Sequence, residues 1–234
     1  MTFSITARCE ETGQFGVAVT TRVPAVGTLC PFVEAGVGGI ATQSFVNPYI
    51  GINGLKYLKE GLSAEEVKER ILEEDPEPAI RQFVIVDNTG KAVAFTGEKC
   101  DGWNGQIVGE NYGVAGNMLV GEDTILDTAR AFENSKGKPL AERLIIALQA
   151  GQDAGGDKRG RQSAAVKVVS TEEYPLVDLR VDEHPDPVKE LGRIYEVAKK
   201  ELFPFVEMLP TKANPKGNFN FESSREMGLL QDSK

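Results

Sequence analysis

The order in which strand and helix patterns follow one another limits the folds open to this chain more than any other feature. The patterns run as strands, a helix pair, strands, a second helix pair, strands and a last helix. A parallel sheet needs a crossover helix between consecutive strands, and that regular alternation is missing. The order predicts an α+β fold with antiparallel hairpins. Two sheets faced by helix layers fit it, and so does a two-layer fold.

Strands are predicted where apolar and β-branched residues alternate, or run together between turn residues. The predicted strands are Phe3–Arg8, Phe15–Thr21, Gly38–Gln43, Gln82–Val86, Ala92–Thr96, Gln106–Gly109, Tyr112–Ala115, Ser163–Val169 and Leu176–Val181. The first two strands form a hairpin. If its turn is centred near Thr12, antiparallel pairing places Thr2 opposite the Thr21–Arg22 region.

Helices are predicted from 3.6-residue periodicity and from start and stop signals. The predicted helices are Asn53–Glu60, a helix capped by Ser63, Thr124–Phe132, Leu140–Ala150 and a helix that starts at Pro187 with Asp186 as its cap. Ser63 and Glu66 have the S-x-x-E spacing of a capping box. Beyond residue 203, prolines arrive with glycine, asparagine and lysine. We therefore predict a domain over residues 1–203 and an extended tail over 204–234, in which a short terminal helix is one option.

Charge and cysteine content exclude several classes of protein. The chain carries 26 Lys+Arg against 35 Asp+Glu, a formal net charge of −9, whereas a nucleic-acid-binding domain presents a basic face. No segment approaches the ~20 apolar residues of a membrane-spanning helix. The cysteines Cys9, Cys30 and Cys100 are odd in number and widely spaced, which indicates reduced thiols in a cytoplasmic protein. We expect neither a nucleic-acid nor a membrane partner.

The chain has one histidine, His184, and this limits its catalytic chemistry. Catalytic zinc sites built on two or three histidines cannot form within one chain. Carboxylates surround His184 in the segment Asp178–Asp186, where a hard cation is one interpretation. An exposed loop that ends in a helix cap is the favoured interpretation. We expect no metal.

Thr2 is a candidate nucleophile that needs no histidine. Removal of the initiator Met leaves a threonine hydroxyl beside a free α-amine, whose pKa of roughly 7.7–8.0 makes it a usable base. Threonine at position 2 also begins ordinary strands. The residue alone leaves both interpretations open.

Three glycine-rich segments are candidates for ligand binding. The loop 154–163, AGGDKRGRQS, sets Asp157 and Arg159 among glycines, so that the backbone can approach a ligand and the guanidinium can bind a carboxylate. The other segments are 36–44, GVGGIATQS, and the Gly-Asn pair at 116–117. Their hydroxyls and amides can donate to an oxyanion. A turn, a β-bulge or a buried amide would use the same residues structurally.

Together these segments carry a resemblance to a known family. They are MTFSITA at the start, GxGxxATQS at 36–44, GNxL at 116–119, LAERLIIALxAGxxxGGDxRGxQSAA at 140–165 and DLRVDxHPDPV at 178–188. In this order they resemble the DUF1028 family, which is classed among predicted N-terminal nucleophile (Ntn) hydrolases. The resemblance covers about residues 1–200.

The resemblance implies a four-layer αββα sandwich in which the nucleophile begins the first strand, the position of Thr2. Members of the Ntn-hydrolase superfamily hydrolyse amide bonds of small molecules or peptides. We expect no cofactor for this chain. In this interpretation Asn117, or backbone N–H groups near Gly38–Gly39, would hold the oxyanion. The substrate-binding residues would be Arg22, Thr42, Gln43, Ser44, Asp157 and Arg159.

One departure from proteasome-like relatives leaves an alternative open. Those relatives place a lysine on the third strand, whereas no lysine precedes Lys56 in this chain. Arg22 can supply positive charge, but a guanidinium does not shuttle protons. The alternative is a non-catalytic protein that binds a small metabolite on the same scaffold or serves as the subunit of a homo-oligomer. A cation-dependent hydrolase built on the acids of residues 178–186 is a third, weaker option.

Overall fold

The structure is a computed structural model that describes residues 2–226 and residue 228. Its strands are β1 (Thr2–Arg8), β2 (Phe15–Thr21), β3 (Pro31–Glu34), β4 (Gly38–Ser44), β5 (Arg81–Asp87), β6 (Ala92–Thr96), β7 (Trp103–Gly109), β8 (Tyr112–Leu119), β9 (Ser163–Val169) and β10 (Val177–Val181). Its helices are α1 (Pro48–Lys59), α2 (Ala64–Glu74), α3 (Asp123–Asn134), α4 (Leu140–Asp153), α5 (Pro187–Glu201), α6 (Phe203–Val206) and α7 (Phe221–Glu226). This is a mixed α+β fold, as predicted.

The strands form two antiparallel sheets. The six-stranded sheet has the order β10-β9-β2-β1-β8-β7, and the four-stranded sheet has the order β3-β4-β5-β6. The predicted hairpin is confirmed, because Thr2 pairs with Thr21 on β2. On the other side of β1, Thr2 pairs with Asn117 on β8. The first strand is therefore central, and its first residue has a neighbour on each side.

The two faces of β1 point to different surroundings. Side chains alternate between the faces of a strand, and Phe3 lies against α4, with its Cε2 atom 2.8 Å from the position that a Cβ of Gly151 would take. On the opposite face, Thr6 Cγ2 lies 3.0 Å from the position that a Cβ of Gly39 on β4 would take. Thr2 and Ser4 share this second face with Thr6. The hydroxyl-bearing face of β1 is thus directed toward the four-stranded sheet.

Apolar side chains pack both between the sheets and against the helices. One core cluster joins α1 and α2 to the four-stranded sheet through Ile50, Val67, Ile40 and Phe83. The sheets meet through two clusters: Val17, Val19, Cys30, Ala41 and Ala165 in one, and Phe15, Val86, Ala92 and Val169 in the other. Burial raises the pKa of the Cys30 thiol to about 12, so this thiol is neutral at physiological pH.

Several elements are longer than predicted, and the largest differences are at α1 and β3. Helix α1 begins at Pro48, not at Asn53, because the Asn47 side chain caps it by accepting a hydrogen bond from the Tyr49 N–H at 3.1 Å. The strand β3 was not predicted. It is only four residues long and opens with Pro31, so it lacks the alternating pattern of a longer strand.

The chain divides into two compact units, of which the first ends at Leu191 and the second begins at Gly192. This division falls within α5, upstream of the predicted boundary after residue 203. The segment predicted to be an extended tail contains the short helix α7 and most of α6. None of the helices in the described residues has the length and apolar character needed to cross a membrane.

Candidate functional site

Thr2 occupies the inward face of β1 at the strand's first position. It is 7% exposed, and its hydroxyl lies 3.0 Å from the hydroxyl of Thr21. Asn117, its other neighbour in register, is 1% exposed. Strands on both sides of β1 therefore place a hydroxyl and an amide beside the candidate nucleophile.

A network of side-chain amides supports this end of β1. Gln82 on β5 accepts hydrogen bonds through Oε1 from Gln43 Nε2 and from Asn117 Nδ2, each at 2.8 Å. Its own Nε2 donates to the Gly116 carbonyl at 2.8 Å. Gln43 Nε2 also lies 3.5 Å from the Thr2 carbonyl oxygen. The network links both sheets and fixes the orientation of the Asn117 amide. Asn117 Nδ2 donates one of its two N–H groups to Gln82, so the other is available for another acceptor.

A cavity of about 260 Å³ adjoins this network. It is lined by Ser44, Phe45, Ile80, Lys99, Asp101, Asn117 and Met118. Among these residues, Asn117 is the one that pairs with Thr2 across the strands. Thr2 itself does not line the cavity. Two of the lining residues are strained, because Ser44 and Met118 have φ values of 70° and 52°. Left-handed backbone is uncommon for residues other than glycine, and such strain concentrates at ligand sites.

The glycine-rich loop 154–163 closes against the strands on both sides of β1. Asp157 forms a β-bridge with Leu119 at the end of β8, and its Oδ2 accepts a hydrogen bond from the Arg22 N–H at 3.1 Å. At the loop's other end, the Gln162 N–H donates to the Thr21 carbonyl at 2.9 Å. The structure therefore brings this predicted binding loop to the Thr2 end of the sheet.

Within the loop, Asp157 is occupied by the protein itself. Its Oδ1 accepts from the Arg159 N–H at 2.8 Å, and its Oδ2 lies 3.3 Å from Arg159 Nη2. The Asp157 side chain is 2% exposed and that of Arg159 is 39% exposed. The Arg22 guanidinium donates to Gln162 Oε1. Asp157 thus acts as the anchor of the loop, and the arginines are the groups with access to solvent.

Thr42 lies on the other face of β4 from Gln43. It shares that face with Ile40, which packs against the helices. Its hydroxyl donates to the Asn47 carbonyl at 3.3 Å. The structure places Thr42 next to the start of α1 and does not bring it together with Thr2.

The glycines proposed as oxyanion donors are also remote from Thr2. The position of a Cβ on Gly39 would be 3.0 Å from Thr6. Thr6 is four residues along β1 from Thr2, or about 13 Å at the usual rise of a strand. Of the two expected oxyanion donors, Asn117 is therefore the one near the nucleophile.

Two of the carboxylates around His184 are paired with basic side chains. Asp186 lies 2.7 Å from Arg161, and Asp178 lies 3.6 Å from Lys167. His184 Nδ1 accepts a hydrogen bond from the Asp186 N–H at 3.0 Å. The described part of the chain holds no group of three or more His, Cys, Asp or Glu side chains arranged for a metal. The cation-dependent option therefore finds no site among these residues.

Gln82 and Lys99 were not predicted from the sequence as site residues. Gln82 is completely buried at the start of an otherwise apolar run, QFVIV, and a lone amide in such a strand is a signal that could have identified it. Lys99 lies in the connection between β6 and β7. No spacing in the sequence links it to Asn117, because the order of strands in the two sheets brings them together.

Comparisons with known proteins identify the family. A sequence model of DUF1028, a family of unknown function, matches residues 2–191. The crystal structure of a DUF1028 protein from Silicibacter pomeroyi shares 28% identity and a TM-score of 0.86, over 94% of this chain and 96% of that protein. Anbu (ancestral beta-subunit) from Yersinia bercovieri shares 14% identity and a TM-score of 0.37, over 89% and 98% of the two chains. No curated protein matches the sequence. The resemblance in the sequence is thus confirmed, and the chain belongs to the DUF1028 family.

Proposed function

We propose that this protein is an Ntn-type amidohydrolase that cleaves a C–N amide bond in a small molecule or peptide. Thr2 is the nucleophile once Met1 has been removed. The observation that carries the proposal is the position of Thr2, a nearly buried hydroxyl at the start of a central strand. It lies 3.0 Å from the Thr21 hydroxyl and in register with Asn117, which lines the adjoining cavity.

The mechanism follows from the groups around Thr2. The α-amine, with a pKa of roughly 7.7–8.0, takes the proton of Oγ1 as the oxygen attacks the amide carbonyl. The free N–H of Asn117 donates to the oxyanion. The amine then protonates the leaving nitrogen, which leaves an ester on Thr2. A water molecule hydrolyses the ester and restores the hydroxyl, so no cofactor is consumed.

The cavity supplies the substrate-binding groups in this proposal. Lys99 and Asp101 contribute opposite charges to its wall, and Phe45 and Ile80 contribute apolar surface. Arg159 and Arg22 border the same end of the sheet from the glycine-rich loop. A small polar amide or a short peptide suits this combination better than an extended apolar ligand.

The four-layer αββα sandwich belongs to the same proposal. The contacts that support it are those of α1 and α2 with the four-stranded sheet, those of α3 and α4 with the six-stranded sheet, and the apolar clusters between the sheets. In such a sandwich the hydroxyl-bearing face of β1 is enclosed between the sheets. This arrangement gives Thr2 a sheltered environment for acyl transfer.

A panel of amide and ester substrates, assayed on protein from which Met1 has been removed, tests the proposal. Serine at position 2 keeps both the hydroxyl and the amine, whereas alanine keeps only the amine. We expect Thr2→Ser to retain measurable turnover and Thr2→Ala to lose at least about three orders of magnitude. Thr12→Ala, in the exposed hairpin turn, is the matched control and should behave like the parent.

Circular dichroism of all variants shows whether the fold is intact. If Thr2→Ala is folded and as active as the parent, Thr2 is not the nucleophile. That result would favour the non-catalytic alternative, in which the same scaffold binds a small metabolite.

A further inference from the structure

A second cavity, of about 210 Å³, lies at the other end of β1 from Thr2. Arg8, the last residue of β1, lines it. Arg8 is six positions along β1 from Thr2, which corresponds to about 20 Å. The wall also includes residues of the β7–β8 turn, of α3 and of α4. This cavity is therefore distinct from the proposed catalytic site.

Two guanidinium groups are held in the wall of this cavity. Arg8 Nη1 donates to Asn111 Oδ1 at 3.3 Å, and Arg143 Nη2 donates to the Phe132 carbonyl at 3.2 Å. The Arg143 guanidinium also stacks on the Phe132 ring, with its Cζ 3.9 Å from the ring centroid. These contacts leave little freedom to either side chain.

Both arginines keep a buried donor without a partner. In the described structure, the Nε atoms of Arg8 and Arg143 are inaccessible and make no hydrogen bond. An unsatisfied buried donor on a charged group is costly, so such donors normally face an acceptor. Burial lowers the pKa of Arg143, and the nearby Glu11 carboxylate offsets this shift only in part. A carboxylate is the acceptor that matches the planar donor edge of arginine.

The mouth of the cavity has the opposite charge. Glu10, Glu11, Glu110 and Glu133 line it and are exposed, and they outnumber the one exposed cation there, Lys136, so its net charge is negative. Glu133 Oε1 accepts a hydrogen bond from the Tyr112 hydroxyl at 2.5 Å, which fixes one carboxylate at the rim. A simple anion would be repelled by these acids on its way to the arginines. A ligand with a carboxylate at one end and an ammonium at the other would be attracted by both groups.

We propose that this cavity binds a small zwitterion of the α-amino-acid class. The ligand carboxylate pairs with the guanidinium groups of Arg8 and Arg143, which line the cavity. Its ammonium group lies toward the mouth, at the Glu133 carboxylate. This site is separate from Thr2, so the proposal stands whether or not the chain is a hydrolase.

Isothermal titration calorimetry of the full chain tests the proposal. The probes are the standard α-amino acids, each titrated separately, with acetate and inorganic phosphate as simple anions. We expect at least one amino acid to bind more tightly than either anion. Arg8→Met and Arg143→Met should each weaken that binding about tenfold or more, because each removes a charge-assisted hydrogen bond. Arg130→Met, on the exposed surface of α3, is the matched control and should bind as the parent does.

A charge change at the mouth provides a test that does not disturb the arginines. Glu133→Gln can still accept from Tyr112 but removes one negative charge. It should weaken amino-acid binding and strengthen acetate binding, two shifts of opposite sign that a loss of folding cannot produce. The proposal is overturned if no amino acid binds, if acetate or phosphate binds as tightly as the best amino acid, or if the arginine variants bind like Arg130→Met.

Discussion

At the scale of single residues, the face of β1 that is directed toward the four-stranded sheet is unusually polar, because it carries hydroxyl groups. Ser4 and Thr6 are completely buried, and their hydroxyl oxygens have no hydrogen-bond partner in the described structure. Gln43 Oε1, on the facing strand β4, is also buried and without a hydrogen-bond partner there. Buried polar atoms of this kind are normally satisfied by ordered water. These atoms lie between the two sheets, and Ser4 and Thr6 share the face of β1 that carries Thr2.

Gln43 is the residue whose loss should disturb this region most. Its Nε2 donates to Gln82 Oε1 at 2.8 Å and to the Ala115 carbonyl at 3.0 Å. Gln43→Met keeps the length of the side chain but leaves buried acceptors unsatisfied. We expect the free energy of unfolding to fall by about 1–3 kcal/mol in urea denaturation. Gln149→Met, on the surface of α4, should change it by at most about 0.5 kcal/mol. Equal effects of the two changes would contradict a supporting role for Gln43.

His184 should be dispensable for catalysis. Its Nδ1 accepts a hydrogen bond from the Asp186 N–H, so the ring stabilises the loop immediately before α5. In the substrate assay proposed for Thr2, His184→Gln should retain most of the parent's activity. A loss of several orders of magnitude in a folded variant would show that the imidazole takes part in the chemistry.

At the scale of elements, the sequence predicts best where a pattern is local. The strands Phe15–Thr21, Ala92–Thr96 and Ser163–Val169 agree with the structure at both ends. The capping box of Ser63 and Glu66 is confirmed. The start of α1 could not be predicted from propensity, because Gly51 and Gly54 weaken the helical pattern. Tertiary packing explains these glycines, since a Cβ on Gly51 would lie 2.2 Å from the Phe32 ring.

Gly151 has the same role in α4, which packs against β1. A Cβ at this position would lie 2.2 Å from Thr128 Oγ1 and 3.0 Å from the Thr124 carbonyl oxygen. Alanine favours a helix by about 1 kcal/mol over glycine, but overpacking costs about 1–3 kcal/mol. We expect Gly151→Ala to lower the midpoint of thermal unfolding. Gly121→Ala, where a Cβ would meet no atom within 4 Å, is the control. A gain in stability at Gly151 would show that α4 is not held this close to its neighbours.

A buried ion pair joins the end of α2 to the start of β5. Arg81 Nε donates to Asp75 Oδ2 at 2.9 Å, and Asn47 Nδ2 donates to the same oxygen at 2.8 Å. Burial, the largest single influence, raises the pKa of Asp75, but the hydrogen bonds from Arg81 and Asn47 together bring it below the ordinary value of 3.8. The folded chain therefore holds the Asp75 proton less tightly than the unfolded chain does.

This difference gives the stability a predictable dependence on pH. The contribution of Asp75 is complete above the ordinary pKa that the group has in the unfolded chain and is lost as the pH falls toward the lower, folded value. Asp75→Asn should cost about 3–5 kcal/mol at pH 7, because it leaves Arg81 buried without a counter-ion. Urea denaturation across this pH range measures both effects. A difference between parent and variant that does not shrink below the unfolded pKa would contradict the assignment.

At the scale of the whole molecule, the candidate site depends on contacts that no local pattern encodes. Thr2 and Asn117 could be predicted from the resemblance and from the motifs. Gln82 has only a local signal, a lone amide in an apolar strand, and Lys99 has none; both reach the site through the pairing of β4 with β5 and the position of the connection after β6. The loop 154–163 could be predicted as a glycine-rich turn. Its attachment to both neighbours of β1 required the strand order of the six-stranded sheet.

The central claim is that Thr2 is an N-terminal nucleophile, and its covalent reaction with a β-lactone tests this most directly. Attack of Oγ1 on the lactone carbonyl opens the ring and forms an ester, so the whole mass of the probe is added and nothing is released. Intact-mass and peptide mass spectrometry should show that Met1 is absent from the parent, Thr2→Ser and Thr2→Ala proteins. The parent and Thr2→Ser should each gain one probe on residue 2, and Thr2→Ala should gain none. Retention of Met1 in the parent, or equal labelling of Thr2→Ala, would contradict the account.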